Sequence, residues 1–119
     1  MNDLRGRIAV PLRWVLDIWH ALYRPLYGPD VTLEDWLDTL GQDVGLIHLQ
    51  NHDYASDMHA GWPDERGLVD VAAFRRTLQD AGMADVPVVI ELFYPFEMDD
   101  EAVLASVRST VRHCQKVLA

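Results

Sequence analysis

Three short apolar segments alternate with three stretches of helical spacing, and this order constrains the fold more than any other feature of the 119-residue chain. The apolar segments are rich in β-branched residues and lie at residues 12–18, 44–50 and 86–93. Alternation of strands and helices predicts a parallel sheet with right-handed crossover connections. The predicted fold class is therefore α/β, with about three β-α units.

The helical stretches carry start signals that suit a helix N-terminus. Thr32 precedes a helix over residues 33–40, Asp70 precedes one over residues 71–81, and Asp99 precedes one that runs towards residue 118. Gly41 and Gly82 follow the first two helices and predict their ends. Between these elements, residues 21–30 and 51–67 are predicted loops because prolines and glycines interrupt them.

The first apolar segment has two interpretations. Residues 12–18 form a strand that ends near Asp17, or they begin a helix that runs towards Tyr23, since no proline interrupts that stretch. Periodicity does not separate these alternatives in so short a run. The strand is favoured because the rest of the chain alternates. For residues 86–93, the continuous run from Val88 to Ile90 predicts a strand buried on both faces.

Three residues with metal-binding side chains stand at or near the predicted strand ends: Asp17, His48 and Glu91. In parallel sheets, ligands bind at the carboxyl ends of the strands. Imidazole nitrogen and carboxylate oxygen suit zinc, manganese, iron or cobalt. We therefore expect these three side chains to meet in one divalent-metal site.

Each of these residues also has a plainer interpretation. His48 fits a buried histidine bonded to the backbone, and Asp17 fits a helix cap or a turn. Glu91 is harder to explain without a ligand, because a carboxylate after Val-Val-Ile is costly to bury unpaired. Packing against aromatic residues would explain His20, and a polar loop would explain His59 together with its neighbours.

Composition narrows the function classes. The formal net charge is −9 and no basic block offsets it, which argues against nucleic-acid binding. The single cysteine, Cys114, excludes an internal disulfide and is expected in the core. This cysteine content makes a reducing, cytoplasmic setting the expectation. No apolar run is long enough to span a membrane, and no signal peptide is recognised. The length suits one domain at most.

The ordered set of residues resembles the C-terminal half of xylose isomerase-like TIM barrels, a superfamily of sugar and sugar-phosphate isomerases and epimerases that also includes the endonuclease IV group. The matching pieces are Asp17-x-x-His20, His48, Asp57-x-His59 and Glu91. The resemblance covers nearly the whole chain, so residues 1–119 are expected to form the C-terminal half of such a barrel, as a fragment.

This resemblance implies roles for the residues. Asp17, His48 and Glu91 would ligate a divalent metal (Mn, Mg, Co or Zn), and Glu91 would also be the catalytic acid/base. The implied reaction moves a proton next to a carbonyl through an enediolate that the metal stabilises.

The substrate, a small-molecule carbohydrate, would be bound by His20, Asp57 and His59. Asp57 and His59 match a position that holds extra metals in the nuclease group. Arg24 and Arg66 are the basic residues of the candidate site region and could bind a substrate phosphate.

The chain is much shorter than a complete barrel, which has eight strands and typically about 250 residues. The family's other catalytic glutamate would lie in the missing half. We therefore expect a homo-oligomer or a complementary half-barrel, and poor activity from the chain alone. The alternatives are an endonuclease IV-like DNA-repair nuclease fragment and a non-catalytic truncated α/β module.

Overall fold

The computed structural model describes residues 6–119. Its strands and helices follow the predicted alternating order. They are β1 (Trp14–Asp17), α1 (Ile18–Ala21), α2 (Arg24–Tyr27), α3 (Leu33–Leu40), β2 (Val44–Leu49), α4 (Val71–Asp80), β3 (Val88–Ile90) and α5 (Asp100–Leu118). A 3₁₀ turn, Gly41–Asp43, joins α3 to β2.

The predicted helix caps are present. Thr32 and Asp35 form a capping box at α3, in which each side chain binds the other residue's backbone N–H. The carboxylate of Asp70 accepts from two backbone N–H groups at the start of α4, and that of Asp99 accepts from one at the start of α5. These contacts satisfy donors that a helix N-terminus leaves unpaired.

The three strands form one parallel sheet in the order β1-β2-β3. Asp17 pairs with His48, which pairs in turn with Val89. Neighbouring side chains in register point to the same face of a sheet, and successive residues alternate between faces. One face therefore carries Asp17, His48 and Val89, and continues to Glu91 two residues after Val89.

The opposite face holds the core. Leu16 and Ile47 are paired neighbours on it, and both are buried. The helices cover this face and contribute most of the remaining buried apolar side chains. These include Ile18, Leu33, Leu37, Val71, Phe74, Leu78 and Cys114. The prediction that Cys114 lies in the core is confirmed.

Two predictions about the elements were wrong. The strand predicted over residues 86–93 is shorter, and Val89 in its centre is 46% exposed instead of buried on both faces. Helices cover only one face of the sheet within residues 6–119, so Val89 on the other face meets solvent. The loop predicted over residues 21–30 contains the one-turn helix α2, which has Pro25 in its first turn, where a missing N–H costs nothing.

The buried side chain of Asn51 holds part of the long loop between β2 and α4 in place. The Asn51 amide donates to the carbonyls of Gly61 and Asp64, at 3.1 and 3.2 Å, and accepts from the N–H of Val69. Asn51 and Ala60 also pair as an isolated antiparallel bridge. These contacts fix the middle of the loop against the end of β2, close to the face of the sheet that carries Asp17 and His48.

Candidate metal centre

Asp17, His48 and Glu91 meet at the carboxyl ends of the three strands. Each offers a ligand atom within 4.8 Å of the other two. The Nδ1 atom of His48 lies 3.5 Å from Asp17 Oδ2 and 3.5 Å from Glu91 Oε2. The strand register explains this convergence, because it places all three side chains on the same face.

The donor set fits a divalent cation. Donors about 2.1 Å from one cation stand roughly 3–3.5 Å from one another, which is the spacing around His48. Two carboxylates and an imidazole supply two negative charges and a neutral nitrogen, a combination that manganese, cobalt and zinc accept. The three residues are only partly buried, so a cation has access from the face of the sheet that no helix of residues 6–119 covers.

Asp17 is held in its charged form by its neighbours. Burial alone would raise its pKa, but hydrogen bonds from the backbone and side chain of His20 and from Gln50 outweigh burial and keep the pKa below its ordinary value. The same carboxylate caps α1, since its Oδ1 atom accepts from the N–H of His20 at 3.0 Å. The plainer interpretation of Asp17 as a helix cap is therefore correct, and Asp17 is also a member of the cluster.

His20 lies at the exposed rim of the cluster. Its Nδ1 atom is 3.0 Å from Asp17 Oδ1, and its side chain is 67% exposed. The ring meets that of Trp19 edge to face. This position lets His20 contact a molecule that enters from solvent.

His59 approaches the cluster from the long loop. Its buried ring stacks on Phe93, with centroids 4.1 Å apart, and the centroid of the tilted Trp19 ring lies 5.3 Å away. Its Nε2 atom is 3.8 Å from Glu91 Oε2. Its Nδ1 atom lies 3.3 Å from the exposed carboxylate of Asp57, in a geometry that makes no hydrogen bond.

The two predicted basic residues are engaged by other groups. Arg66 forms a two-point ion pair with Asp64, and its pKa is raised by that contact. The guanidinium of Arg24 lies over the ring of Tyr54, 4.7 Å from its centroid. Arg66 nevertheless lines a cavity of about 660 Å³ together with His59.

Two buried residues make contacts in this region that the sequence did not predict. Gln50 follows His48 by two residues and bonds both carboxylates of the cluster. His52 is buried, and its Nδ1 atom accepts from the N–H of Tyr54. From sequence, Gln50 ends the predicted strand over residues 44–50 and His52 lies in the histidine-rich stretch, and a polar loop residue is the plainer interpretation of both. The alternation of side chains along β2 is the signal that places Gln50 on the same face as His48.

The architecture and the cluster together define a partial (β/α) barrel with a candidate metal centre at the carboxyl ends of its strands. A solved structure with which the chain shares this fold is the crystal structure of a "putative xylose isomerase" from Rhodospirillum rubrum ATCC 11170. The two share 31% sequence identity with a TM-score of 0.89, and the match covers 98% of this chain and 39% of that chain.

This similarity confirms the predicted resemblance to part of a xylose isomerase-like barrel, and it confirms the fold class. The chain spans 39% of the length of the protein it matches. No protein-family model matches the sequence, and no curated protein matches it either. Among the described residues, no helix has the length and apolar character needed to cross a membrane.

Proposed function

We propose that the chain forms the metal-binding part of a sugar isomerase or epimerase. The observation that carries this proposal is the convergence of Asp17, His48 and Glu91 within 4.8 Å, at the strand ends of a fold similar to a xylose isomerase-like barrel. Strand ends are where such barrels place their catalytic residues.

Asp17, His48 and Glu91 would hold the cation. When bound, the cation would polarise the substrate carbonyl and acidify the neighbouring C–H. Glu91 would take the proton from one carbon and return it to the next, because its second oxygen, Oε1, makes no hydrogen bond to Gln50. His20, at the exposed rim, would bind a substrate hydroxyl.

We propose a neutral hydroxy-aldehyde or hydroxy-ketone as the substrate. Phosphate binding would require free guanidinium groups, and those of Arg24 and Arg66 already contact Tyr54 and Asp64. The cavity beside His59 is also lined by carboxylates, which disfavour an anion. The predicted phosphate contacts of Arg24 and Arg66 remain predictions, and a change of partner would be needed to make them.

The remaining parts of the predicted barrel also belong to the proposal. The chain would act as the C-terminal half of a barrel, in the cytoplasm, with the other strands and a second glutamate supplied by a complementary half or by oligomerisation. The exposed face around Val89 is where such a partner would lie. The chain alone would then bind metal but turn over substrate poorly.

Metal titration tests the site. We expect the wild-type chain to bind about one Mn²⁺, Co²⁺ or Zn²⁺. Glu91→Gln and His48→Ala each remove a ligand and should weaken binding. The loss of affinity should exceed the ~10–100-fold that removing a residue hydrogen-bonded to a ligand typically costs. The matched controls are Glu97→Gln and His113→Ala, which lie outside the cluster. Calorimetry and metal analysis after dialysis give the affinities and the stoichiometry. Equal metal content in all five proteins would rule out this site.

A further inference from the structure

Gln50 joins the two carboxylates of the candidate metal centre. Its side chain is completely buried, and its Nε2 atom donates to Asp17 Oδ2 at 3.1 Å and to Glu91 Oε2 at 3.3 Å. Its Oε1 atom accepts from the backbone N–H of Trp19 at 3.3 Å. Gln50 therefore contacts the strand ends on both sides of β2.

These contacts use the hydrogen-bonding groups of the amide in one orientation only. A primary amide has two N–H donors, and each has a carboxylate acceptor here. Turning the amide over would place its oxygen against two carboxylates and its nitrogen against a backbone donor. The N–H of Trp19 therefore fixes the direction in which Gln50 donates.

The two oxygens that Gln50 binds are the same oxygens that face His48. Asp17 Oδ2 and Glu91 Oε2 each lie 3.5 Å from His48 Nδ1, whereas Asp17 Oδ1 is directed to His20. A carboxylate oxygen has enough lone pairs to accept an N–H and to bind a cation at once. The amide thus selects which oxygen of each carboxylate faces the centre.

We propose that Gln50 is a positioning residue that holds Asp17 and Glu91 at the separation one divalent cation requires. This inference rests on the proposed metal site. Without the amide, two like charges would face each other across a partly buried gap and would turn apart. Binding of the cation would then have to bring the two carboxylates back together, which would lower its affinity. Partners that orient metal ligands in this way typically contribute 10–100-fold to affinity.

The direct test replaces Gln50 with methionine, which keeps the length of the side chain and removes its donors. We expect Gln50→Met to bind Co²⁺ about 10–100-fold more weakly than wild type and to shift the visible absorption of bound Co²⁺. Gln79→Met, at an exposed position of α4, is the matched control and should leave the affinity and the spectrum unchanged. Far-UV circular dichroism and the unfolding midpoint establish that each variant is folded.

The outcomes are distinguishable. A folded Gln50→Met protein with wild-type affinity and spectrum would overturn the positioning role and leave the metal site intact. Failure of the wild-type chain to bind Co²⁺ would overturn the metal site, and the role of Gln50 with it.

A second measurement on the wild-type chain does not depend on the variant's folding. With diamagnetic Zn²⁺, the side-chain NH₂ signals of Gln50 should exchange slowly with solvent and shift on titration, whereas those of Gln79 should do neither. Signals of Gln50 that exchange as fast as those of Gln79 and ignore Zn²⁺ would overturn the proposal.

Discussion

His52 is a buried side chain that makes the stability of the fold depend on pH. Its imidazole is fully buried, its Nδ1 atom accepts from the N–H of Tyr54, and its Nε2 atom has no hydrogen-bond partner among the described residues. Burial is the main reason that its pKa falls from 6.5 to about 4, although the charge of Asp53 acts in the opposite direction. The folded protein therefore keeps His52 neutral well below the pH at which the unfolded chain takes up a proton.

This pKa shift predicts a loss of stability in weak acid. Between pH 6.5 and about 4 the unfolded chain binds the proton and the folded chain does not, so the free energy of unfolding falls as the pH falls. His52 contributes a slope of up to ~1.4 kcal/mol per pH unit, which amounts to ~3 kcal/mol over the whole window. Its contribution is complete above pH 6.5, and it adds no further change below pH 4.

His52→Asn isolates this effect, because the asparagine oxygen can still accept from Tyr54 but does not titrate. We expect urea unfolding, followed by tryptophan fluorescence from pH 4 to 7, to show a shallower pH dependence than wild type by about one proton. His113→Asn, at a half-buried position of α5 whose ring stacks on Trp62, serves as the comparison for the pH dependence. Curves for wild type and His52→Asn that run parallel across this range would contradict the assignment.

At the residue scale, the sequence predicted the residues of the candidate cluster better than the buried residues around it. The convergence of Asp17, His48 and Glu91 could be predicted because each lies at or near the end of an apolar segment and parallel strand ends converge. The contacts of Gln50 and His52 depend on residues 31 to 41 positions away or on local burial, which periodicity does not report. Alternation along β2 places Gln50 on the same face as His48, but it does not predict which distant groups the amide contacts.

At the scale of elements, the junction between the long loop and α5 decides where His59 lies. The hydroxyl of Thr110, buried on α5, accepts from the backbone N–H of Trp62 at 2.9 Å. Gly61 packs so closely against Thr110 that a Cβ there would collide with the hydroxyl. The loop is therefore docked on the helix two residues after His59.

Replacing Thr110 with valine and, separately, with serine tests this junction. Thr110→Val keeps the shape but leaves the buried N–H of Trp62 without an acceptor, which should cost about 1–3 kcal/mol of unfolding free energy. Thr110→Ser keeps the hydroxyl and should lose only about 0.8 kcal/mol for the missing methyl. Urea denaturation gives both values. Equal stability of the two variants would show that the hydroxyl does not hold the loop.

The helices were the most predictable elements, and the reasons are local. Thr32, Asp70 and Asp99 each cap the helix that they were expected to cap. The strands needed their context, because residues 12–18 fit two structures until the alternation of the chain decided between them. The bridge between Asn51 and Ala60 could not be predicted, since no short-range pattern marks that pairing.

At the scale of the whole molecule, the sheet is covered on one face only. Parallel sheets normally have both faces covered. Here Val15 and Val89 are 54% and 46% exposed on the face that carries Asp17 and His48, and no fourth strand pairs with β1 or β3 within residues 6–119. Exposed strand edges and apolar patches favour association. The candidate site thus lies on the surface that most needs a partner.

Self-association through this face is the prediction at that scale. We expect the purified chain to sediment as oligomers at micromolar concentration, and the double variant Val15→Thr, Val89→Thr to shift towards monomer. The double variant should keep its unfolding midpoint nearly unchanged, because surface substitutions typically alter stability by no more than about 0.5 kcal/mol. Val10→Thr, an exposed valine outside the sheet, should leave association unchanged. A monomeric wild-type chain would rule out oligomerisation and leave a separate complementary half as the proposed partner. A double variant that associates as strongly as wild type would show that the face around Val15 and Val89 is not the surface through which the copies associate.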